Sequence, residues 1–273
     1  MEDLRINPEL VTRILTGFIA DEVRKIGFER VILGLSGGID SALVATLSAR
    51  ALGAANVTVL MMPYRTSSPD SRGDAETVIE ALGLEHHLEE ITPMVDGYFA
   101  AHPESTALAR GNFMARQRMA VLYDWSARTR ALVIGTSNKT EYLLGYSTIW
   151  GDSACALNPI GDLYKTQVRQ LARHVGVPER IIDKPPSADL WAGQTDEKEM
   201  GWTYDEVDRV LYLLVDRRYT VAEMEREGYA PEFVRKVFRT MQTSQFKRRL
   251  PILAKLSYRT IDRDFRYPRD WGC

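Results

Sequence analysis

Short, wholly apolar runs alternate along this chain with longer stretches in which apolar residues recur at helical spacing. Val31-Ile32-Leu33, Val57-Thr58-Val59-Leu60-Met61-Met62 and Ala131-Leu132-Val133-Ile134 read as buried strands, and His86 to Ile91 reads as a further strand. Between them lie helical patterns with punctuated ends. Asn7-Pro8 is a cap followed by proline at the first helical position, and Leu10, Ile14, Phe18 and Val23 form the stripe of that helix. A second helix runs to about Leu52 and stops at Gly53. A third starts at Pro69, runs to Leu82 and stops at Gly83, and a long amphipathic one covers about Thr106–Thr129. Strands that alternate with helices predict an α/β fold, a doubly wound parallel sheet with helices on both faces. Ligands of such sheets bind beyond the carboxyl ends of the strands, so Ser36–Ser41, Met62–Arg65 and Gly135–Glu141 converge on one crevice.

From Lys184 to Trp202 the periodicity dissolves, and a connection of this length with two tryptophans and Leu190 reads as a lid over the crevice. Beyond it the pattern is helical. Thr203–Glu206 and Thr220–Glu223 are capping boxes, and Pro231 starts a helix that ends near Thr243. The expected organisation is a single domain over 1–273: an α/β core over 4–183, the lid over 184–202 and a helical part over 203–273.

Composition narrows the class. With 273 residues the chain can bury a full core, and 35 Lys plus Arg against 37 Asp plus Glu leave no global field for nucleic acid or membrane. Residues 230–273 are locally basic, with 11 Lys or Arg against 4 Asp or Glu, which reads as a solvated face or a rim for phosphates. Cys155 and Cys273 make neither a disulfide framework nor a metal set. The acidic start Met-Glu-Asp-Leu-Arg carries no apolar signal core, and a cytoplasmic protein is expected.

The chemistry is concentrated in Gly34-Leu35-Ser36-Gly37-Gly38-Ile39-Asp40-Ser41, directly after the first strand. Two glycines let a ligand approach the main chain, and helix-start N–H groups with two serine hydroxyls form a nest for phosphate oxygens. Asp40 repels phosphate, and a magnesium ion between them removes that conflict. The spacing is neither that of the common nucleotide-triphosphatase loop nor that of a dinucleotide-binding loop. Ser-Gly-Gly-x-Asp-Ser resembles the pyrophosphate loop of the enzymes that split ATP into AMP and pyrophosphate.

That loop alone admits the synthetases of GMP, asparagine, argininosuccinate, tRNA lysidine and NAD. Further segments follow in order: Gly135-Thr136-Ser137-Asn138-Lys139-Thr140-Glu141, Gly151-Asp152, Asn158 to Gln167, Pro186-Ser187-Ala188-Asp189-Leu190, Gln194-Thr195-Asp196-Glu197 and Lys247-Arg248. Together they resemble the ammonia-dependent NAD synthetases from about Leu4 to Pro251. The resemblance implies adenylation of the nicotinate carboxylate of deamido-NAD by ATP, loss of pyrophosphate, and attack by ammonia. It also implies a homodimer, for which the sequence offers only the apolar positions Met114, Met119, Val121 and Leu122.

Roles follow residue by residue from that resemblance. Gly34 to Ser41 hold ATP through its pyrophosphate, together with Thr136, Lys165 and Ser187. Asp40 and Glu141 bind magnesium. Arg116, Asp152 and Lys247 bind deamido-NAD, with Arg118 a second partner. Asp152 is also placed at the ammonia site and, with Lys165, in catalysis. Plainer readings stand beside these: Asn138–Glu141 is also a capping box, Lys165 a solvated helix-start lysine, and Asp152 a turn residue.

The chain departs from some members, with Phe246 where they have histidine, and Ile149 and Ala156 where they have lysine and an acid. The competing readings are another amide-forming or tRNA-modifying pyrophosphatase, the RNA enzyme disfavoured by the near-neutral charge, and a non-catalytic nucleotide-binding module, disfavoured by the Asp40/Glu141 pair. With no amidase segment ahead of the pattern and Cys155 inside it, ammonia rather than glutamine is the expected nitrogen source.

Overall fold

The computed structural model describes residues 4–187, 195–249 and 251–261. Four parallel strands, β1 (Arg30–Gly34), β2 (Val57–Met61), β3 (Glu85–Leu88) and β4 (Ala131–Val133), are ordered β3-β2-β1-β4. The register pairs Val31 with Val57 and Ile32 with Val133. Alternation along the strands sends side chains to two separate cores. Val31, Leu33, Val57 and Val59 face α1 (Pro8–Lys25), α2 (Ile39–Leu52), α3 (Pro69–Leu82) and α7 (Lys165–Val175). Ile32, Leu60, Ala131 and Val133 face α4 (Thr92–Phe99) and α5 (Ala107–Thr129). Helices on both faces of a parallel sheet are the architecture the alternating pattern predicts.

Most predicted boundaries hold. Asn7 caps α1 by accepting the Leu10 N–H at 3.1 Å, Gly53 and Gly83 end α2 and α3 at positive φ, and both predicted capping boxes form. The third strand is shorter than expected, because past Leu88 this edge strand keeps only single bonds, Glu89 N–H to Met61 O and Ile91 N–H to Pro63 O.

Three readings need correction. The α1 stripe is rotated: Leu10, Ile14 and Phe18 are exposed, while Val11, Leu15, Ile19 and Val23 face the core. Both stripes have helical spacing, and only tertiary packing chooses between them. Met114 is buried in the core beneath the sheet, Val121 and Leu122 pack against it, and Met119 lines the central cavity, so these residues serve the chain's own interior. The segment 184–202 is not irregular throughout. Asp196–Met200 is a helix, α9, and the Asp196 N–H donates to Pro186 O at 2.9 Å, which closes the base of the loop. Leu190 and Trp191 of the expected lid lie outside the described residues.

After β4, Gly135 to Asn138 lead into α6 (Lys139–Leu144), and α8 (Glu179–Ile182) follows α7. A third apolar cluster joins Leu144 of α6 and Tyr164 to α10 (Tyr204–Leu211), α11 (Val221–Arg226) and α12 (Pro231–Thr243) through Val207, Val210, Met224 and Val237. The C-terminal helices thereby brace α6 and α7, whose N-termini carry the polar residues described next. Among the described residues no helix is long and apolar enough to cross a membrane.

Candidate active site

A cavity of about 1160 Å³ opens at the carboxyl ends of the strands, with Ser36 and Gly38 to Ser41 at one end, Gly37 not among its lining, and Asp152 and Lys247 at the other. The first end is built tightly. Gly37 sits at φ +78°, and a Cβ there would fall 2.0 Å from the carbonyl oxygen of Ser71, so glycine is required where the loop packs on α3. The serines knit the loop: Ser36 Oγ and Ser41 Oγ lie 3.1 Å apart, Ser41 Oγ donates to Gly38 O at 3.0 Å, and Gly38 N–H donates to Ser36 Oγ at 3.3 Å. Gly38 caps α2 without a side chain, which leaves first-turn N–H groups for a ligand.

Asp40, Glu141 and Lys165 meet beside this loop. Lys165 is 2% exposed; its Nζ lies 2.5 Å from Asp40 Oδ2, 3.4 Å from Glu141 Oε1 and 5.1 Å from the Tyr204 ring centroid. Burial opposes the charge on Lys165, but the carboxylates of Asp40 and Glu141 outweigh it and hold the ammonium protonated. Burial, followed by the neighbouring Asp40, pushes the Glu141 carboxyl above its ordinary value. The solvated reading of Lys165 is therefore corrected. For Glu141 both readings hold, since its Oε2 accepts the Asn138 N–H at 3.2 Å within a complete capping box while Oε1 faces Lys165.

Sequence reasoning missed three contributors. Asn138, fully buried, donates from Nδ2 to Asp40 Oδ1 at 3.0 Å, so the residue that caps α6 also orients the loop aspartate. Its cap is legible in the sequence; its reach to Asp40 is not. Asp196 lines the cavity behind Lys165 and accepts from the hydroxyls of Tyr146 and Tyr204, both at 3.1 Å. Burial raises its carboxyl, with Lys165 pulling it back. Asp74 accepts from Lys184 Nζ at 2.8 Å and faces Arg180 Nε at 3.1 Å, anchoring the start of the loop that carries Ser187.

The second end is made of loops. Asp152 opens to the cavity, and its Oδ1 accepts the Thr148 N–H at 2.7 Å, so it is a turn residue and a cavity carboxylate at once. The protein around it disfavours the charged form and raises its pKa, against the Thr148 N–H and the nearby Lys247. Lys247 Nζ donates to Gly145 O at 2.8 Å and Ser147 O at 2.7 Å, and burial lowers its pKa, with Asp152 pulling it back up. Arg248 donates to the carbonyls of Tyr142, Leu143 and Met241, closing the C-terminal end of α6 against α12.

Gly34, Leu35, Ile39, Thr136 and Ser187 line the same cavity. Arg116 does not: it is exposed and donates from Nε to Ile149 O at 3.3 Å, whereas Arg118, two residues on, lines the cavity and donates to Met62 O at 3.0 Å. Cys155 packs against Gly135, and burial raises its thiol, a setting that does not favour a nucleophile.

The family model described as NAD synthase matches residues 11–251. The NH(3)-dependent NAD(+) synthetase of Trichlorobacter lovleyi is 59% identical over 272 residues, covering 100% of both chains. Among solved structures, the NH3-dependent NAD synthetase of Campylobacter jejuni is similar with a TM-score of 0.78 and 37% identity, over 92% of this chain and 100% of that one. The NMN synthetase of Francisella tularensis gives 0.82 and 33% over the same shares. A glutamine-dependent NAD+ synthetase from Acinetobacter baumannii, solved with ADP, gives 0.69 and 31%, over 96% of this chain but 49% of that one. Matched by the family model over residues 11–251 and by a relative 59% identical along its full length, the chain belongs to the NAD synthase family.

Proposed function

We propose that the protein amidates deamido-NAD to NAD with ATP and ammonia, through an adenylated carboxylate, releasing AMP and pyrophosphate. The observation that carries this reading is the buried Lys165 held between Asp40 and Glu141 at the mouth of the Ser36–Ser41 loop, in one cavity with Asp152. A carboxylate is a poor acyl donor because it would have to expel oxide, and adenylation replaces that oxide with a phosphate. Both reactants are anions. The loop amides, the serine hydroxyls and the Lys165 ammonium supply donors where charge gathers on the departing pyrophosphate. Lys165 moves no proton in this scheme; it is held charged and tracks phosphate oxygens on a flexible stem.

Asp40 and Glu141 fit a divalent cation. Both carboxylates are only 17% and 15% exposed and share one ammonium, and magnesium takes one or two carboxylates with water and substrate phosphates as its other ligands. When bound, the ion neutralises phosphate charge next to the bond that breaks. Among the described residues no set of three or more His, Cys, Asp or Glu forms a cage of its own.

Thr136 and Ser187 contact the nucleotide, and Asp152 and Lys247 receive the nicotinate end. There Asp152 attracts ammonium and takes its proton as ammonia attacks. Arg116 reaches deamido-NAD only by leaving Ile149, or serves a ligand portion outside the cavity. We read the assembly as a cytoplasmic homodimer. The exposed apolar residues supporting it are Met94 and Tyr98 on α4, in place of the inward-facing set expected from the sequence.

Incubation with deamido-NAD, ATP, magnesium and ammonium tests the reading. NAD, AMP and pyrophosphate should appear in equal amounts, the ammonium requirement should fall as pH rises, and glutamine should not replace ammonium. The mononucleotide of nicotinic acid, run alongside, should be the poorer substrate. ADP and phosphate as products, or no NAD, contradict the proposal.

A further inference from the structure

Helix α7 begins at Lys165 without a Ser, Thr, Asp or Asn of its own as N-cap; Tyr164 holds that position. The first N–H groups of a helix have no partner within it and are costly to bury unpaired. Here other elements satisfy them. The Lys165 N–H donates to Thr140 Oγ1 at 3.0 Å, and the Thr166 N–H donates to Asp208 Oδ2 at 2.8 Å. The Thr140 hydroxyl in turn donates to Asp208 Oδ1 at 2.5 Å. Thr140 is the second residue of α6, immediately before Glu141, while Asp208 comes from α10 in the C-terminal helical part and does not line the cavity. Thr140 and Asp208 are both fully buried.

We infer that Asp208 is a positioning residue for the phosphate end of the site: it locks the first turn of α6 to the first turn of α7 and thereby fixes Glu141 relative to Lys165. The two bonds from Asp208 reach one residue on each helix, and each is adjacent in sequence to a cavity residue. An anion at a helix N-terminus is also favoured by the helix dipole, so the carboxylate suits both turns. Leucine at this position would fill space but leave the Thr166 N–H and the Thr140 hydroxyl without their acceptor. The inference rests on Lys165 acting at ATP as proposed above, but the link itself can be read without substrate.

Thr140→Val removes the hydroxyl at nearly constant volume, Thr140→Ser keeps it, and Asp208→Asn leaves one acceptor where two are needed. Amide exchange of the ligand-free protein should lose protection at Lys165 and Thr166 in the Val and Asn variants, with Val168 to Val175 unchanged. Thr140→Ser should exchange like the parent. In turnover, the Val and Asn variants should lose about tenfold to hundredfold in kcat with KM for deamido-NAD within about twofold, since small displacements of catalytic groups cost rates of this order. The double variant should be little worse than either single one, because both break the same link. Unchanged exchange and kcat in Thr140→Val overturns the inference. So does a loss shared equally by Thr140→Ser, or loosened exchange along all of α7, because either result makes the contact general stability rather than positioning. If Asp208→Asn does not fold, the contrast between Thr140→Val and Thr140→Ser decides between positioning and stability. If the parent makes no NAD, the exchange data still decide the link while the proposed reaction fails separately.

Discussion

The two ends of the cavity are built differently. At the phosphate end Asp40, Glu141 and Lys165 each sit in the first turn of a helix and hold one another: Asp40 is held by Asn138 and Lys165, and Glu141 by its own capping box and Lys165. At the end proposed for nicotinate Asp152 sits in a turn, and Lys247 belongs to a short helical turn, its ammonium occupied by two backbone carbonyls. A rigid frame suits the step in which charge must be met at once by fixed donors. A loop-borne end suits a site that must accept a large substrate and then a second nucleophile. In the proposed reading Lys247 exchanges Gly145 O and Ser147 O for a ligand.

Unequal sensitivity of the two ends is the consequence. The largest effect is expected from Lys165→Met, which removes the only cation on the Asp40/Glu141 pair among the described residues; NAD formation should fall by about 10²–10³-fold. Asp40→Asn should cost about 10²-fold in turnover even at saturating magnesium, and a near-normal variant there would break the assignment of the rigid end. Asp152→Asn should cost about 10- to 100-fold in NAD formation while ATP still binds normally, measured by titrating each variant with a non-hydrolysable ATP analogue. Lys247→Met should mainly raise KM for deamido-NAD, and an equal fall in kcat would argue that this end is as rigid as the other.

The smallest effect is one of stability, away from both ends. Hydrogen bonds from Thr203 hold Glu206 below its ordinary carboxylate range. A lowered folded-state pKa means stabilisation that is present above the unfolded value of about 4.3 and lost as pH falls through the folded value. The Tm difference between the parent and Glu206→Gln should therefore shrink as pH is lowered through that window. A difference independent of pH would show that the carboxylate charge contributes nothing.

What is legible in the sequence divides along the same line. The first, second and fourth strands, most helix ends and the Ser36–Ser41 loop are encoded locally by β-branched runs, capping residues and glycines, and they stand where the pattern puts them. The α1 stripe is ambiguous because Leu10/Ile14/Phe18 and Val11/Leu15/Ile19 have the same period. The burial of Lys165 is invisible because a lysine at a helix start looks solvated until α10 and α6 are packed over it. Asp208 gives no local signal at all, and Asp196 shows only as part of the Gln194–Glu197 segment, with nothing local to place it at the cavity. Asp208 meets Thr140 and Asp196 meets Tyr146 across tens of residues, and Asp196 adds the nearer Tyr204.

The most direct test of a rigid phosphate end working ahead of a loop-borne acceptor end is exchange of labelled pyrophosphate into ATP, with deamido-NAD and magnesium present and ammonium absent. Exchange in the parent should depend on deamido-NAD, vanish in Lys165→Met, and survive within about threefold in Asp152→Asn, whose defect lies in the later step. Exchange that requires ammonium, or that is lost equally in both variants, would contradict this division of labour.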